Sequence, residues 1–265
     1  MSHIPRKRFG QHFLHDRHII AKILDALDPR PGDLVVEIGP GLGALTRPLL
    51  ERLPHLHAVE IDRDLAARLE QEIGPEHLTV HCVDALEFDF SVLGSNLRVV
   101  GNLPYNVSTP LLFHLAGFAP GLRDLHFMLQ REVVERMVAP PSCSEYGRLS
   151  VMLQYRFEME KLFEVAPGCF RPPPKVDSAV VRMAPLARPQ PAAMDEELLA
   201  AVVTRAFTRR RKTLRNALDG VVDEAELRGL GIDSGLRPEN LTVADYVRIA
   251  NLAAARAGGA DASSG

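Results

Sequence analysis

At 265 residues, 46% hydrophobic and 25% charged, the chain has the apolar content for a real core, and its composition excludes global disorder. A formal net charge of −3 excludes a protein basic over its whole surface, but it leaves room for a local basic face that follows phosphates. The three cysteines, Cys82, Cys143 and Cys169, form no CxxC pair, so neither a disulfide framework nor a zinc site is indicated.

The basic start, MSHIPRKRFGQHFLHDRH, lacks the apolar core of a signal peptide, and no apolar run reaches membrane-spanning length. A soluble, cytoplasmic protein is expected. Asp16 is placed to cap a helix that carries Ile19, Ile20, Ile23, Leu24 and Leu27 at helical spacing. LVVEI (34–38) reads as a buried strand that runs into the glycine-rich GPGLG, and a helix with Leu45, Leu49 and Leu50 follows. Strands are expected at 56–61, 78–83, 97–101 and 124–130, with helices at 62–73, 109–118 and 131–138. Such alternation is the signature of a doubly wound parallel sheet. FEMEKLFEVA and SAVVRMAPL then predict two strands flanking RPPPKVD, an antiparallel addition at one side of the sheet.

LARPQPAAMD (186–195) is the best boundary, after which the pattern is helical only: one helix over 195–218, then DEAELRGLG, then TVADYVRIANLAAARA. The expected division is a catalytic domain over 1–187, a helical domain over 188–257 and a disordered tail over 258–265.

Gly39, Gly41 and Gly43 stand between a strand and a helix, where bare backbone lets a ligand approach and the helix start suits an anionic group. Glu60 closes the second strand at about the 20-residue distance where such folds place an acid for ribose hydroxyls. Two cofactors fit this plan, a nicotinamide dinucleotide and S-adenosylmethionine. Glu37 hints at the second, because a carboxylate there repels a pyrophosphate but tolerates an ammonium and a sulfonium. Asp84 ends the third strand, either to accept from an exocyclic amine or to cap the following turn.

Asn102 ends the fourth strand, on the same rim as Gly39, Glu60 and Asp84, and is followed by Leu103, Pro104 and Tyr105. The segment reads either as a simple turn or as a place that holds a flat, polar substrate. An aromatic amine is a poor nucleophile because its lone pair is delocalised into the ring. The Asn102 amide oxygen and the Leu103 or Pro104 carbonyl, both accepting from its N–H groups, would turn that lone pair toward an electrophile. Proline stiffens the carbonyl, and Tyr105 offers a ring for stacking.

GNLPYNVSTPLLF, with FGQHFL (9–14) and VVEIGPGLGALT before it and FRPPPKVDSAVVR (170–182) after it, resembles the ribosomal RNA adenine dimethyltransferases. The resemblance covers essentially the whole chain, including RRRKTLRNAL and RPENLTVADYVRIANLA. It implies an α/β class I methyltransferase fold, Rossmann-like with a mostly parallel sheet and an antiparallel edge addition, plus a small all-helical C-terminal domain. It also implies S-adenosylmethionine as methyl donor, no metal, and two adjacent adenosines near the 3′ end of small-subunit rRNA as target. The implied partner is the immature small ribosomal subunit, with the protein acting as a monomer and no membrane involved.

Carried over by position, cofactor contacts fall on His12, Leu14, Gly39, Glu60, Asp84 and Asn102, with Gln11 and Gly41 beside them. The family commonly has asparagine where this chain has His12, so that contact depends on whether backbone or side chain makes it. Asn102, Pro104 and Tyr105 would hold the target base, with Phe170 as a second stacking aromatic. Arg205, Arg209 and Lys212 fall at i, i+4 and i+7, with Arg210, Arg211 and Arg215 alongside, a dense positive surface at the end of one helix. Read alone this is a solvated face that complements the helix dipole; with the resemblance it reads as rRNA phosphate contact, with PRKR (5–8) and Lys175 as secondary candidates. Rival readings are a large-subunit rRNA methyltransferase and, on the glycine loop alone, a nicotinamide oxidoreductase.

Overall fold

The computed structural model describes residues 11–262, with side chains described to residue 256. PRKR (5–8), the first two residues of FGQHFL and residues 263–265 of the expected tail lie outside the described residues. The strands are β1 (Phe13–Leu14), β2 (Val35–Ile38), β3 (Leu56–Val59), β4 (Leu78–His81), β5 (Leu97–Asn102), β6 (Leu122–Gln130), β7 (Phe157–Val165), β8 (Phe170–Arg171) and β9 (Ser178–Pro185). The α-helices are α1 (Arg17–Leu27), α2 (Thr46–Leu50), α3 (Arg63–Ile73), α4 (Ser108–Ala116), α5 (Arg131–Val138), α6 (Arg148–Gln154), α7 (Glu196–Thr208), α8 (Leu214–Ala217), α9 (Glu224–Gly229) and α10 (Val243–Ala262).

Seven strands form one sheet in the order β4-β3-β2-β5-β6-β9-β7. From β4 to β6 the neighbours run parallel; β9 is antiparallel to both β6 and β7, the expected late addition. β1 and β8 make a separate antiparallel pair. Every residue of β2 is buried, as a central strand covered on both faces requires. Asp16 caps α1 by accepting from the His18 and Ile19 N–H groups, as its position predicts. At the strand-start edge, the buried Arg98 guanidinium is held by Asp124 and Asp33 and donates to the Leu27 and Asp28 carbonyls at the end of α1. It satisfies carbonyls that a helix end otherwise leaves without partners.

The sheet and its helices form one compact unit, residues 11–134 with 157–185 among the described residues; the second unit comprises 135–156 and 186–262. α6 thus packs with the C-terminal helices, where Tyr146, Val151 and Tyr155 share a core with Leu199, Val203 and Tyr246.

The single helix expected over 195–218 is two. α7 ends at Thr208, residues 209–212 form a turn, and Thr213 in extended backbone precedes α8. Thr204 and Thr208 hydroxyls donate back to the Ala200 and Thr204 carbonyls, 2.7 and 2.8 Å, which weakens the helix in its last turns. Arg209 therefore closes the helix as its cap, and Arg210 folds in to Glu239 and the Cys143 and Ser144 carbonyls. The i, i+4, i+7 surface on one helix is not formed; the basic residues crown a turn. The last helix continues to Ala262, well into the stretch expected to be a tail.

Candidate active site at the carboxyl rim

In the sheet order, β3 and β4 lie on one side of β2 and β5 and β6 on the other, so the order reverses between β2 and β5. At such a switch point the connections leave to opposite faces and open a crevice beyond the strand ends. Here Ile38 pairs with Gly101, and a Cβ added at Gly101 would sit 2.5 Å from the Ile38 carbonyl oxygen. Only glycine lets β2 and β5 approach this closely as they deliver Gly39 and Asn102 side by side. The crevice is a cleft of about 340 Å³, lined by Gln11, His12, Leu14, Glu37, Gly39, Gly41, Glu60, Asp84, Asn102, Pro104 and Tyr105 among others. Those positions span 95 residues of sequence and meet in one cavity of small-molecule size.

The three glycine amides of the loop are engaged within the protein. Gly39 N–H donates to the Val59 carbonyl (2.9 Å), Gly41 N–H to Glu60 Oε2 (3.1 Å) and Gly43 N–H to the Pro40 carbonyl (2.9 Å). Gly39 and Gly41 both have positive φ, 69° and 57°, which is what the tight turn asks of them. Glu60 is also gripped from its other side by the Asp62 N–H, so its carboxylate braces the loop against β3. Burial raises its pKa, and those backbone N–H bonds oppose the rise.

Glu37 is 2% exposed, and one of its oxygens accepts from the Thr46 hydroxyl at 2.6 Å. Burial pushes its carboxyl up to about 8; the Thr46 bond pulls the other way, and the neighbouring Glu60 charge adds to the rise. Asp84 accepts the Leu86 N–H through Oδ1 at 2.9 Å, the turn-capping role, and also lines the cleft. Gln11 donates to Asp62. The described lining holds three carboxylic side chains and no lysine or arginine. This donor set suits a ligand that carries positive charge, hydroxyls and an amine, as S-adenosylmethionine does. It does not suit a pyrophosphate, which would find neither cations nor unengaged glycine amides.

On the β5 side, Asn102 Nδ2 donates to the His12 carbonyl at 2.9 Å. A carbonyl only accepts, so this contact settles the amide orientation and leaves Oδ1, a pure acceptor, for an incoming N–H. Of the two carbonyls that follow Asn102, that of Pro104 accepts from Val107 N–H at 3.2 Å. The Tyr105 hydroxyl bonds Ser178 Oγ at 2.7 Å; burial raises its pKa, with the Ser178 bond opposing.

Phe170 departs from its expected place. It is 2% exposed, paired with Leu14 and packed in the sheet core, and it does not line the cleft. Side chains alternate along a strand, so in β8 Arg171 faces out and Phe170 inward. Lys175 is exposed in the 172–177 loop. In the helical unit, Arg209, Arg211 and Lys212 are exposed around a second cavity of about 520 Å³. Arg205 and Arg209 hold the Asp219 and Asn216 carbonyls, and Arg215 lies 3.6 Å from Glu224. Thr46 and Ser178 escaped the sequence reading. Each is a small hydroxyl residue beside a charged one, Thr46 before Arg47 and Ser178 after Asp177, and both are fully buried. Among the described residues no helix is long and apolar enough to cross a membrane.

Comparison with known proteins agrees with this geometry. The profile of the family described as ribosomal RNA adenine dimethylase matches residues 2–255. Ribosomal RNA small subunit methyltransferase A of Aromatoleum aromaticum is 65% identical over 96% of this chain and 96% of its own length. That of Chromobacterium violaceum is 62% identical over 94% and 96%. Among solved structures, a dimethyladenosine transferase from Plasmodium falciparum superposes with a TM-score of 0.78 at 27% identity, covering 90% of this chain and 96% of its own. The 23S rRNA methyltransferase ErmE gives 0.70 at 28%, covering 90% and 98%. With a model match over nearly its full length and relatives above 60% identity, this chain belongs to the ribosomal RNA adenine dimethylase family.

Proposed function

We propose that this protein transfers methyl groups from S-adenosylmethionine to the exocyclic amines of two adjacent adenosines near the 3′ end of small-subunit rRNA, acting in the cytoplasm as a monomer on immature small subunits. What carries the reading is the Asn102 amide, turned by the His12 carbonyl so that an acceptor oxygen stands on the rim of a carboxylate-lined cleft. The choice of small over large subunit follows identity. The small-subunit enzymes compared are 62–65% identical, against 28% for the 23S enzyme.

When bound, S-adenosylmethionine supplies a methyl carbon made electrophilic by its sulfonium, with a neutral thioether as leaving group. Glu37, Glu60 and Asp84 would hold it, balancing its positive charge and accepting from its amine and hydroxyl hydrogens. Asn102 Oδ1 and the Leu103 carbonyl accept the two N–H hydrogens of the adenine amine, and its lone pair then lies across the ring plane toward the cleft. Tyr105 stacks on the base. The alkylated amine is strongly acidic and loses its proton to water, so no protein base is required. After one transfer a single N–H remains, and the second transfer proceeds with one of the two acceptors unpaired. The base must be turned out of any helix to reach this rim. Residual Phe170 involvement would need β8 to rearrange.

Arg211 and Lys212, exposed on the 209–212 turn, are the proposed phosphate contacts, with Arg209, Arg205, Arg215 and Lys175 supporting; Arg210 serves the fold through Glu239. Replacing Arg211 and Lys212 together by alanine should weaken rRNA binding about tenfold and flatten its salt dependence by about 1.5 in log–log slope. Cofactor affinity and Tm should not move. Arg210→Ala should instead lower Tm. The reading as a whole is tested by mass spectrometry of rRNA adenosines from cells with and without the gene. Loss of two adjacent dimethyladenosines from small-subunit rRNA is expected; an unchanged small-subunit pattern would refute it.

A further inference from the structure

The β1–β8 pairing, Phe13↔Arg171 and Leu14↔Phe170, meets a proline at its next position, and Pro172 has no N–H with which to extend the ladder. Its carbonyl is taken by a side chain instead, with His12 Nδ1 2.7 Å from Pro172 O. Because a carbonyl only accepts, Nδ1 carries the hydrogen. The same imidazole lies against Tyr105, ring centroids 5.7 Å apart and planes 26° from parallel. The main-chain carbonyl of the same residue orients Asn102. At its far end Tyr105 is tied by its hydroxyl to Ser178, which is fully buried.

We propose that His12 is a positioning residue for the substrate base. Its ring, clipped to Pro172, closes one face of Tyr105 and holds the phenol so that the base stacks on the opposite face, beside the Asn102 amide. The inference rests on the base-binding roles proposed above for Asn102 and Tyr105. Position 12 thereby divides its work. The backbone sets the amide, which any residue there could do, whereas the ring acts on Tyr105, which an asparagine could not do in the same way. The side chain's interactions run to Pro172 and Tyr105, so its removal should act on the rRNA step and leave cofactor affinity alone.

The test uses the full-length chain with His12→Ala, His12→Phe and Tyr105→Ala, S-adenosylmethionine titrations, and steady-state kinetics on immature small subunits. For His12→Ala, kcat should fall about tenfold while the S-adenosylmethionine Kd stays within about twofold. His12→Phe keeps a ring without the clip and should recover to within about threefold of the parent. The inference is overturned by His12→Ala turning over at the parental rate, by His12→Phe being no better than His12→Ala, or by a Kd that weakens as much as kcat. Tyr105→Ala separates the levels. If it retains parental turnover, the stacking reading itself fails; if it is impaired while His12→Ala is not, only the role of His12 fails.

Discussion

Asn102→Ala is expected to abolish measurable methylation, a fall in kcat of about 10³ or more, while S-adenosylmethionine Kd changes by less than about tenfold. The asymmetry follows from what the side chain touches. Its Nδ2 is engaged by the His12 carbonyl, so the group left to act is Oδ1, whose partner exists only when the adenine amine is present. Truncation removes the acceptor proposed to localise the lone pair and leaves the carboxylates that line the cleft in place. Asn102→Asp is the sharper variant. It keeps the shape and an acceptor oxygen but cannot donate to the His12 carbonyl, and two oxygens would face each other where a 2.9 Å hydrogen bond now stands. Turnover should fall by about 10² even though the substitution is isosteric. Single-turnover methylation, with cofactor Kd measured on the same preparations, checks both.

Glu37→Gln should change the pH dependence of both stability and cofactor binding. The Glu37 carboxyl is raised from an ordinary value of 4.5 to about 8 by burial, so between those limits the folded chain holds a proton that the unfolded chain has lost. Stability from this group is complete below 4.5 and is lost as pH climbs to about 8. The amide has no proton to lose. At pH 8 the ligand-free variant should therefore be more stable than the parent by a few kcal/mol, about 5–10 °C in Tm, with the gap closing toward pH 5. Binding reverses the sign, because a cationic ligand favours the ionised carboxylate and so expels the proton. Cofactor affinity of the parent should rise with pH between about 6 and 8, with proton release visible as a buffer-dependent heat. The variant should lose this slope and bind about 10–100-fold more weakly at pH 8. The ligand's own amine titrates equally in both proteins, so the difference isolates Glu37.

The rim was legible from the chain because its logic is local. Each strand is an apolar run that ends at a residue with special backbone or polar character, Gly39, Glu60 and Asn102, and alternation with helices dictates that those ends share an edge. What was hidden depends on contacts between distant segments. Nothing in the 139–154 stretch announces that Tyr146 and Val151 pack with Leu199 and Tyr246. The break after Thr208 needed the two threonine back-bonds, and Arg210 turned inward because Glu239, 29 residues later, awaited it. Phe170 was assigned a surface task by its motif, but strand register turned it into the core. Charge and aromaticity can be read from a string; the direction in which a side chain points is a tertiary property.

The proposed methyl transfer requires one spatial relation, the methyl donor's carbon lying across the cleft from the Asn102 amide. A crystal structure with S-adenosylmethionine or its demethylated product bound measures it directly. The reactive carbon, or the point it would occupy on the sulfur, should lie within about 5 Å of Asn102 Oδ1, leaving room for an amine nitrogen about 3 Å from each. A ligand seated elsewhere, or a sulfur turned away from the 102–105 segment, would contradict the account.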